Sequence, residues 1–190
     1  MHTELEEKVD RLEALLGEFI IHTKMAFTRL ERSLDRMEED RRQMNKQWGE
    51  LANKMGTLVE DIVAPNIPRI AKEYFGCEDV EFFGIRVKKR NQKDKAKKRE
   101  FDVIAVCDDR VIINETKSTP RIDYINDFIE ILKEFYDYFP EYKEKKIIPI
   151  FASLYMPDDI VSFLTKNGIY AMGMKEDTMN LINFSEIANK

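Results

Sequence analysis

Histidine is nearly absent. The 190-residue chain holds two, His2 and His22, both close to its start. The remainder has no imidazole, so chemistry that uses histidine as base or metal ligand is excluded there. Cysteine is equally sparse. Cys77 and Cys107 are far apart and in no paired motif. They are too few for a zinc cluster and read as two buried free thiols rather than a disulfide framework. No run approaches the roughly 18 apolar residues that cross a bilayer, so no membrane partner is expected. The acidic start, Met1-His2-Thr3-Glu4-Leu5-Glu6-Glu7, carries no signal-peptide pattern, and the expected compartment is the cytoplasm. Positive charge is not in excess: 31 Lys and Arg face 36 Asp and Glu, a net charge of −5. That argues against indiscriminate coating of nucleic acid, although the distribution of charge matters more than its sum.

What the chain does have is charge in quantity, 35% of residues, beside a hydrophobic share of 43%. Long solvated helices account for the first and a packed core for the second. Leu5, Val9, Leu12, Leu16, Phe19, Thr23, Ala26 and Leu30 follow one another in steps of four and three. Leu34, Met37, Met44, Trp48, Leu51, Met55 and Leu58 continue the series, with Arg41 in one seam position. This is the seam of a coiled coil. Two four-residue steps in succession between Ala26 and Leu34 form a stutter. A helix over residues 1–50 would be about 75 Å long at ~1.5 Å per residue and cannot bury its own seam. The expected partner is another copy of the chain, a dimer in preference to a trimer or tetramer. Residues 1–48 are thus read as an oligomerisation helix and residues 49–190 as a separate domain.

In that domain the pattern changes. An apolar helical face from Met55 to Val63 ends near Pro65, and a second helical run covers Ile70 to Phe75. Strands are expected over 79–88, 100–107 and 110–117, with Asp108-Asp109 as the turn between the last two. A helix from Ile122 to Phe139, a strand from Ile147 to Tyr155, a helix from Pro157 to Asn167 and a strand from Ile169 to Met174 follow. A short strand or turn near Leu181 to Phe184 ends the pattern. The fold class is α/β, a mixed sheet covered by helices.

The chemistry concentrates in two adjacent strands. Asp102 opens the apolar run Val103-Ile104-Ala105-Val106, whose continuity implies burial on both faces. Strand alternation places Val111, Ile113, Glu115 and Lys117 on one face. A carboxylate in line with core residues is costly without a partner. Asp102, Glu115 and the Thr116 carbonyl could supply three oxygens to Mg²⁺ or Mn²⁺. Lys117 would orient or deprotonate the attacking water. An ordinary cross-strand salt bridge at the sheet margin is the competing reading.

Phe101-Asp102-Val103-Ile104 and Asn114-Glu115-Thr116-Lys117, after a helix bearing Gly56-Thr57-Leu58-Val59-Glu60, resemble the PD-(D/E)XK nuclease superfamily. That superfamily includes restriction endonucleases and Holliday-junction resolvases. The resemblance covers roughly residues 50–155. It implies a restriction-endonuclease-like core, metal ligation by Asp102 and Glu115, Lys117 as the catalytic lysine, and Glu60 as an auxiliary acid. The superfamily's proline is absent, since Glu100-Phe101 precedes Asp102. Its glutamine-and-tyrosine motif is not clear here, with Tyr124 a candidate for the tyrosine place.

Arg86, Lys88, Lys89, Arg90, Lys93, Lys95, Lys97, Lys98 and Arg99 cluster around the hairpin that leads into Asp102. Such a run gains affinity for phosphates by releasing counterions, and residues 88–90, 93, 95 and 97–99 are the expected nucleic-acid contacts. The function expected is metal-dependent phosphodiester hydrolysis, with DNA the expected substrate. The alternative is a non-catalytic nucleic-acid-binding or coiled-coil scaffold.

Overall fold

A computed structural model describes the backbone of residues 2–188, with the side chains of residues 2–6, 52 and 53 outside the described set. The chain divides into two units, Met1–Ala52 and Asn53–Lys190. The first is helical throughout its described length, as part of α1 (His2–Val63). Its seam residues, among them Leu12, Phe19, Leu30 and Leu34, are exposed in the single chain. Leu5, which the seam includes, falls among the side chains not described. No described helix is long and apolar enough to cross a membrane.

The second unit is a mixed α/β domain with a six-stranded sheet in the order β1-β2-β3-β4-β5-β6. The last turns of α1 lead through a 3-10 turn at Ala64–Asn66 into α2 (Ile67–Phe75). Gly76 ends α2 in the left-handed conformation, φ 66°, and its N–H returns to the Ala71 and Lys72 carbonyls. This is a glycine stop that a residue with Cβ would make at a cost. β1 (Phe82–Arg90), β2 (Lys98–Val106) and β3 (Arg110–Thr116) form an antiparallel meander. α3 (Ile122–Tyr138) crosses to β4 (Lys146–Ala152), which runs parallel to β3. α4 (Asp158–Lys166) crosses to β5 (Tyr170–Lys175), parallel to β4. β6 (Thr178–Leu181) closes the sheet antiparallel, and α5 (Phe184–Ala188) follows.

Both sheet faces are covered. Val59, Val63, Ile67 and Ile70 from α1 and α2 pack on Val103, Ala105, Ile112 and Ile150. Ile125, Phe128 and Phe135 of α3, with Leu164 of α4, pack on Ile104, Val106, Ile113 and Phe151. β2 is therefore buried on two sides, as its continuous apolar run requires. Two buried thiols were expected at Cys77 and Cys107. They are instead joined in a disulfide, Cα atoms 5.9 Å apart. The Gly76 turn delivers Cys77 to the end of β2, where Cys107 follows Val106, a meeting set by tertiary structure and not by spacing in the chain.

Candidate active site

β2 and β3 pair from Val106↔Val111 as far as Val103↔Asn114 and then part. One step further along, Asp102 and Glu115 stand at the fork. The Asp102 carboxylate fills it, accepting the Thr116 N–H at Oδ2, 2.7 Å. In a strand the N–H and C=O of one residue leave the same edge, so the Thr116 carbonyl lies on the Asp102 side as well. On the opposite face of β3 the Thr116 hydroxyl donates to Asn114 Oδ1, 2.9 Å, a buried bond that fixes the strand end.

Asp102 also breaks the alternation of β2. Phe101 packs with Ile104 in the cluster under α3, whereas strict alternation would put it beside Val103. Its ring meets Phe135, Tyr138 and Phe139 edge-on. The turn of the backbone between Phe101 and Val103 frees the Asp102 side chain toward the strand edge.

Glu115 and Lys117 lie on the α3 side, with side chains 14% and 32% exposed, and Lys117 Nζ donates to Glu115 Oε1 at 2.5 Å. Both line a cleft of about 440 Å³ shared with Arg99, Tyr124, Asp127 and Glu130. The Asp102 carboxyl is pushed up to about 7, first by burial and then by the Glu115 charge, against the Thr116 bond and Lys117. Burial lowers Lys117. The charge and hydrogen bond of Glu115, with Asp102 and Glu60 behind them, outweigh it and raise the ammonium above its ordinary value. Lys117 is therefore a cation here, a donor and not a base.

Glu60, on the last turns of α1, is close enough to act on Asp102 and Lys117 electrostatically. Its Oε2 takes a 2.7 Å bond from Arg86 Nε, and Arg86 Nη2 reaches Asp61 Oδ1 at 2.8 Å. Arg86 has φ 51° inside β1. The neighbouring ladder pairs are Ile85↔Val103 and Val87↔Phe101, so the interruption falls between Arg86 and Asp102. A non-glycine residue held there costs on the order of 1–3 kcal/mol. Two residues before it, Gly84 leaves room for Val87, whose Cγ2 would lie 2.6 Å from an added Cβ. The sequence counts Arg86 among the basic residues and gives no sign of this conformation.

Among the described residues no group of three His, Cys, Asp or Glu side chains is arranged to hold a metal. The fork offers two carboxylates and one carbonyl, an oxygen set of the kind hard divalent cations take. The third carboxylate, Glu60, is turned to Arg86.

The basic hairpin is built, not open. Asn91 Oδ1 accepts the N–H groups of Lys93 and Asp94, and Gln92 N–H donates to the Asp137 carbonyl. Four of its cations are paired: Lys88 with Glu100, Lys89 with Glu141, Lys93 with Asp137 and Lys97 with Glu134. Arg90, Lys95, Lys98 and Arg99 have no ion pair among the described residues. Arg99 reaches the cleft of Glu115 and Lys117. With Lys88, Lys89, Arg90, Lys98 and Glu100 it also lines a hollow of about 430 Å³ on the hairpin. Tyr124 lies under two cations, Lys117 and Arg121, each 5.9 Å from its ring.

This is a mixed-sheet domain with a forked acidic site, following a long helix in the chain. Over residues 80–181, from just before β1 to the end of β6, the chain belongs to the family described as Domain of unknown function (DUF8196). The matched span contains Arg86, Asp102, Glu115 and Lys117 but not Glu60 or α1. No curated protein and no solved structure matches the chain.

Proposed function

We propose that the chain is a Mg²⁺- or Mn²⁺-dependent nuclease on a restriction-endonuclease-like domain, hydrolysing phosphodiester bonds in DNA and assembled as a homodimer through the helix of its first unit. One observation carries the reading. Asp102 and Glu115 converge where β2 and β3 part, with the Thr116 backbone between them and Lys117 bound to Glu115. The order of helix, three strands, helix and strand supports the fold assignment.

Asp102, Glu115 and the Thr116 carbonyl would hold the cation. When bound, it supplies Lewis acidity toward a phosphodiester oxygen and lowers the pKa of water enough for attack near neutral pH. The chain supplies the rest. Lys117, protonated and held by Glu115, donates to the attacking water or to a phosphoryl oxygen and offsets charge that develops there. Arg99 presents a further cation at the cleft wall. Arg90, Lys95 and Lys98, without an ion pair among the described residues, track the flanking phosphates. A non-catalytic scaffold is the second reading, favoured by the commitment of Glu60 to Arg86.

The test is cleavage of a panel of duplex, single-stranded and branched DNA, and of RNA, with Mn²⁺. Cutting abolished by chelator and by Asp102→Ala is expected. Equal cutting by Asp102→Ala would refute the assignment, and Mn²⁺ binding with no cutting of any substrate would favour the scaffold.

A further inference from the structure

The β1–β2 ladder outruns the sheet. Beyond the fork it continues through Val87↔Phe101, Lys88↔Glu100, Lys89↔Arg99 and Arg90↔Lys98, where β2 no longer pairs with β3. These pairs form a two-stranded ribbon, and one face of it is docked. Val87 and Phe101 pack in the cluster under α3, and Lys89 binds Glu141 and lies over the Phe139 ring. Cross-strand partners share a face, and successive pairs alternate. Lys88, Glu100, Arg90 and Lys98 therefore stand on the other face, and all four are exposed.

The break at Arg86 and Asp102 decides which face is open. On the sheet side of it Val103 packs under α1 and α2, and on the ribbon side Phe101 packs under α3. Strict alternation would carry Phe101 to the side of Val103 and turn Arg90 and Lys98 toward α3. Arg86, with φ 51°, stands at that reversal. The strained residue thus accompanies an outward basic face.

That face is not arranged for stability. Lys88 is answered by Glu100 at 3.1 Å. Arg90 and Lys98 stand directly opposite each other, and neither has an ion pair among the described residues. Like charges so placed destabilise a ladder, and a bound polyanion offsets that repulsion. With Lys88 and Arg99 they line the hollow of about 430 Å³, and Arg99 continues into the cleft of Glu115 and Lys117. Shape selects among polyanions. Two strands ~4.8 Å apart fit the ~12 Å major groove of B-form DNA. The major groove of A-form RNA is too deep and narrow for side chains to read. Single strands are held largely by stacking on aromatic rings, and the open face carries none.

We propose that the open face of this ribbon lies in the major groove of duplex DNA, with Arg90 and Lys98 on the phosphates that wall it, and so leads a duplex to the fork. This names the substrate class of the proposed nuclease and rests on that reading for the step after binding.

Fluorescence anisotropy of the full chain tests the proposal. The probes are a labelled DNA duplex, one of its strands alone and an RNA duplex of the same sequence, in EDTA so that nothing is cut. The DNA duplex should bind tightest. Arg90→Ala with Lys98→Ala should weaken that binding about 10- to 100-fold near about 0.1 M salt and reduce its salt dependence by about two counterions. Arg90→Lys with Lys98→Arg should restore it. The alanine pair should melt no lower than wild type, because a like-charge pair has gone, so lost affinity is not lost folding. Duplex binding unchanged by the alanine pair overturns the proposal, as does equal binding of the single strand or the RNA duplex. Cleavage with Mn²⁺ separates this proposal from the nuclease reading. Duplex binding that the alanine pair abolishes, in a chain that cuts nothing, keeps the ribbon and removes the nuclease. Duplex cutting that the alanine pair leaves at the wild-type rate keeps the nuclease and removes the ribbon.

Discussion

Asp102 accepts from Thr116 N–H the hydrogen bond that a longer β2–β3 ladder would have used, at 2.7 Å. The carboxylate thus replaces a strand at the fork, and its position follows from where the sheet stops. Replacement by alanine leaves the Thr116 N–H unsatisfied at a half-buried point, a loss of about 1–3 kcal/mol. Asparagine can keep an acceptor there. Asp102→Asn should therefore melt close to wild type by circular dichroism, and Asp102→Ala measurably lower. Both should lose divalent-cation binding. An Asp102→Asn variant that unfolds would show that the charge, not the bond, holds the fork.

Lys117 is expected to act as a cation. Its ammonium is raised by Glu115, Asp102 and Glu60 against burial. Lys117→Ala should lower the cleavage rate about 10²- to 10³-fold, as for loss of one charge-stabilising donor, with Mn²⁺ affinity retained or increased, since a competing positive charge has gone. Single-turnover cleavage and calorimetry on the same preparation read the two effects. A parallel loss of cation binding would move Lys117 from chemistry to site assembly.

The pH dependence of stability has a definite sign. Asp102 sits near 7 in the folded chain, held up by burial and Glu115, against about 3.9 in an unfolded one. Between those values the folded state keeps a proton that the unfolded state has lost. The stabilisation is complete below about pH 4 and is lost as pH rises through about 7. It amounts to a few kcal/mol as an order of magnitude. The metal-free protein should melt at a higher temperature at pH 6 than at pH 8, and Asp102→Asn should flatten that difference. An unchanged slope in the variant would assign it to other groups.

Much of this site is legible in the sequence because two apolar runs joined by Asp108-Asp109 leave little freedom in register. Once Val103 and Asn114 are paired, Asp102 and Glu115 must stand side by side. The strand ends are less legible. β1 begins at Phe82, not at residue 79, and β6 lies at Thr178–Leu181 with Phe184 already opening α5. Periodicity marks apolar faces, not where pairing starts. The partners of the basic hairpin could not be read at all. Glu134, Asp137 and Glu141 are some 40 residues downstream and meet the lysines only after α3 docks. Arg86 is invisible for a related reason, since one residue's φ is set by the strands around it and not by local sequence.

The disulfide is a tertiary feature of the same kind, and its effect can be measured. Cys77 and Cys107 enclose a 30-residue separation. In the chain-entropy description that constrains the unfolded state by roughly 3–4 kcal/mol. The loop includes all of β1 and β2, so the bridge ties the strand bearing Asp102 to the end of α2. Thiol titration of the unfolded, unreduced protein should find no free thiol. Reductant or Cys77→Ser should lower the melting temperature while leaving the fold intact. Two reactive thiols in that assay would show that Cys77 and Cys107 are free and that no bridge ties α2 to β2.

The last prediction concerns the first unit. Leu12 and Phe19 are each 67% exposed in the single chain, and Leu30 and Leu34 each 55%. A seam of this length left in water has no stabilising burial, whereas each leucine covered on association contributes about 1.5–3 kcal/mol. Light scattering of the intact chain should give the mass of a dimer. Leu16→Asp with Leu30→Asp places two charges in the seam and should reduce the species to a monomer at micromolar concentration. The second unit carries its own disulfide and two-faced sheet core, so its melting transition should persist in that variant, as should Mn²⁺ binding at Asp102. Cleavage of one strand should then survive while paired cuts on duplex DNA decline, because two sites no longer arrive together. A monomeric wild-type chain would leave the seam without the partner that its pattern requires.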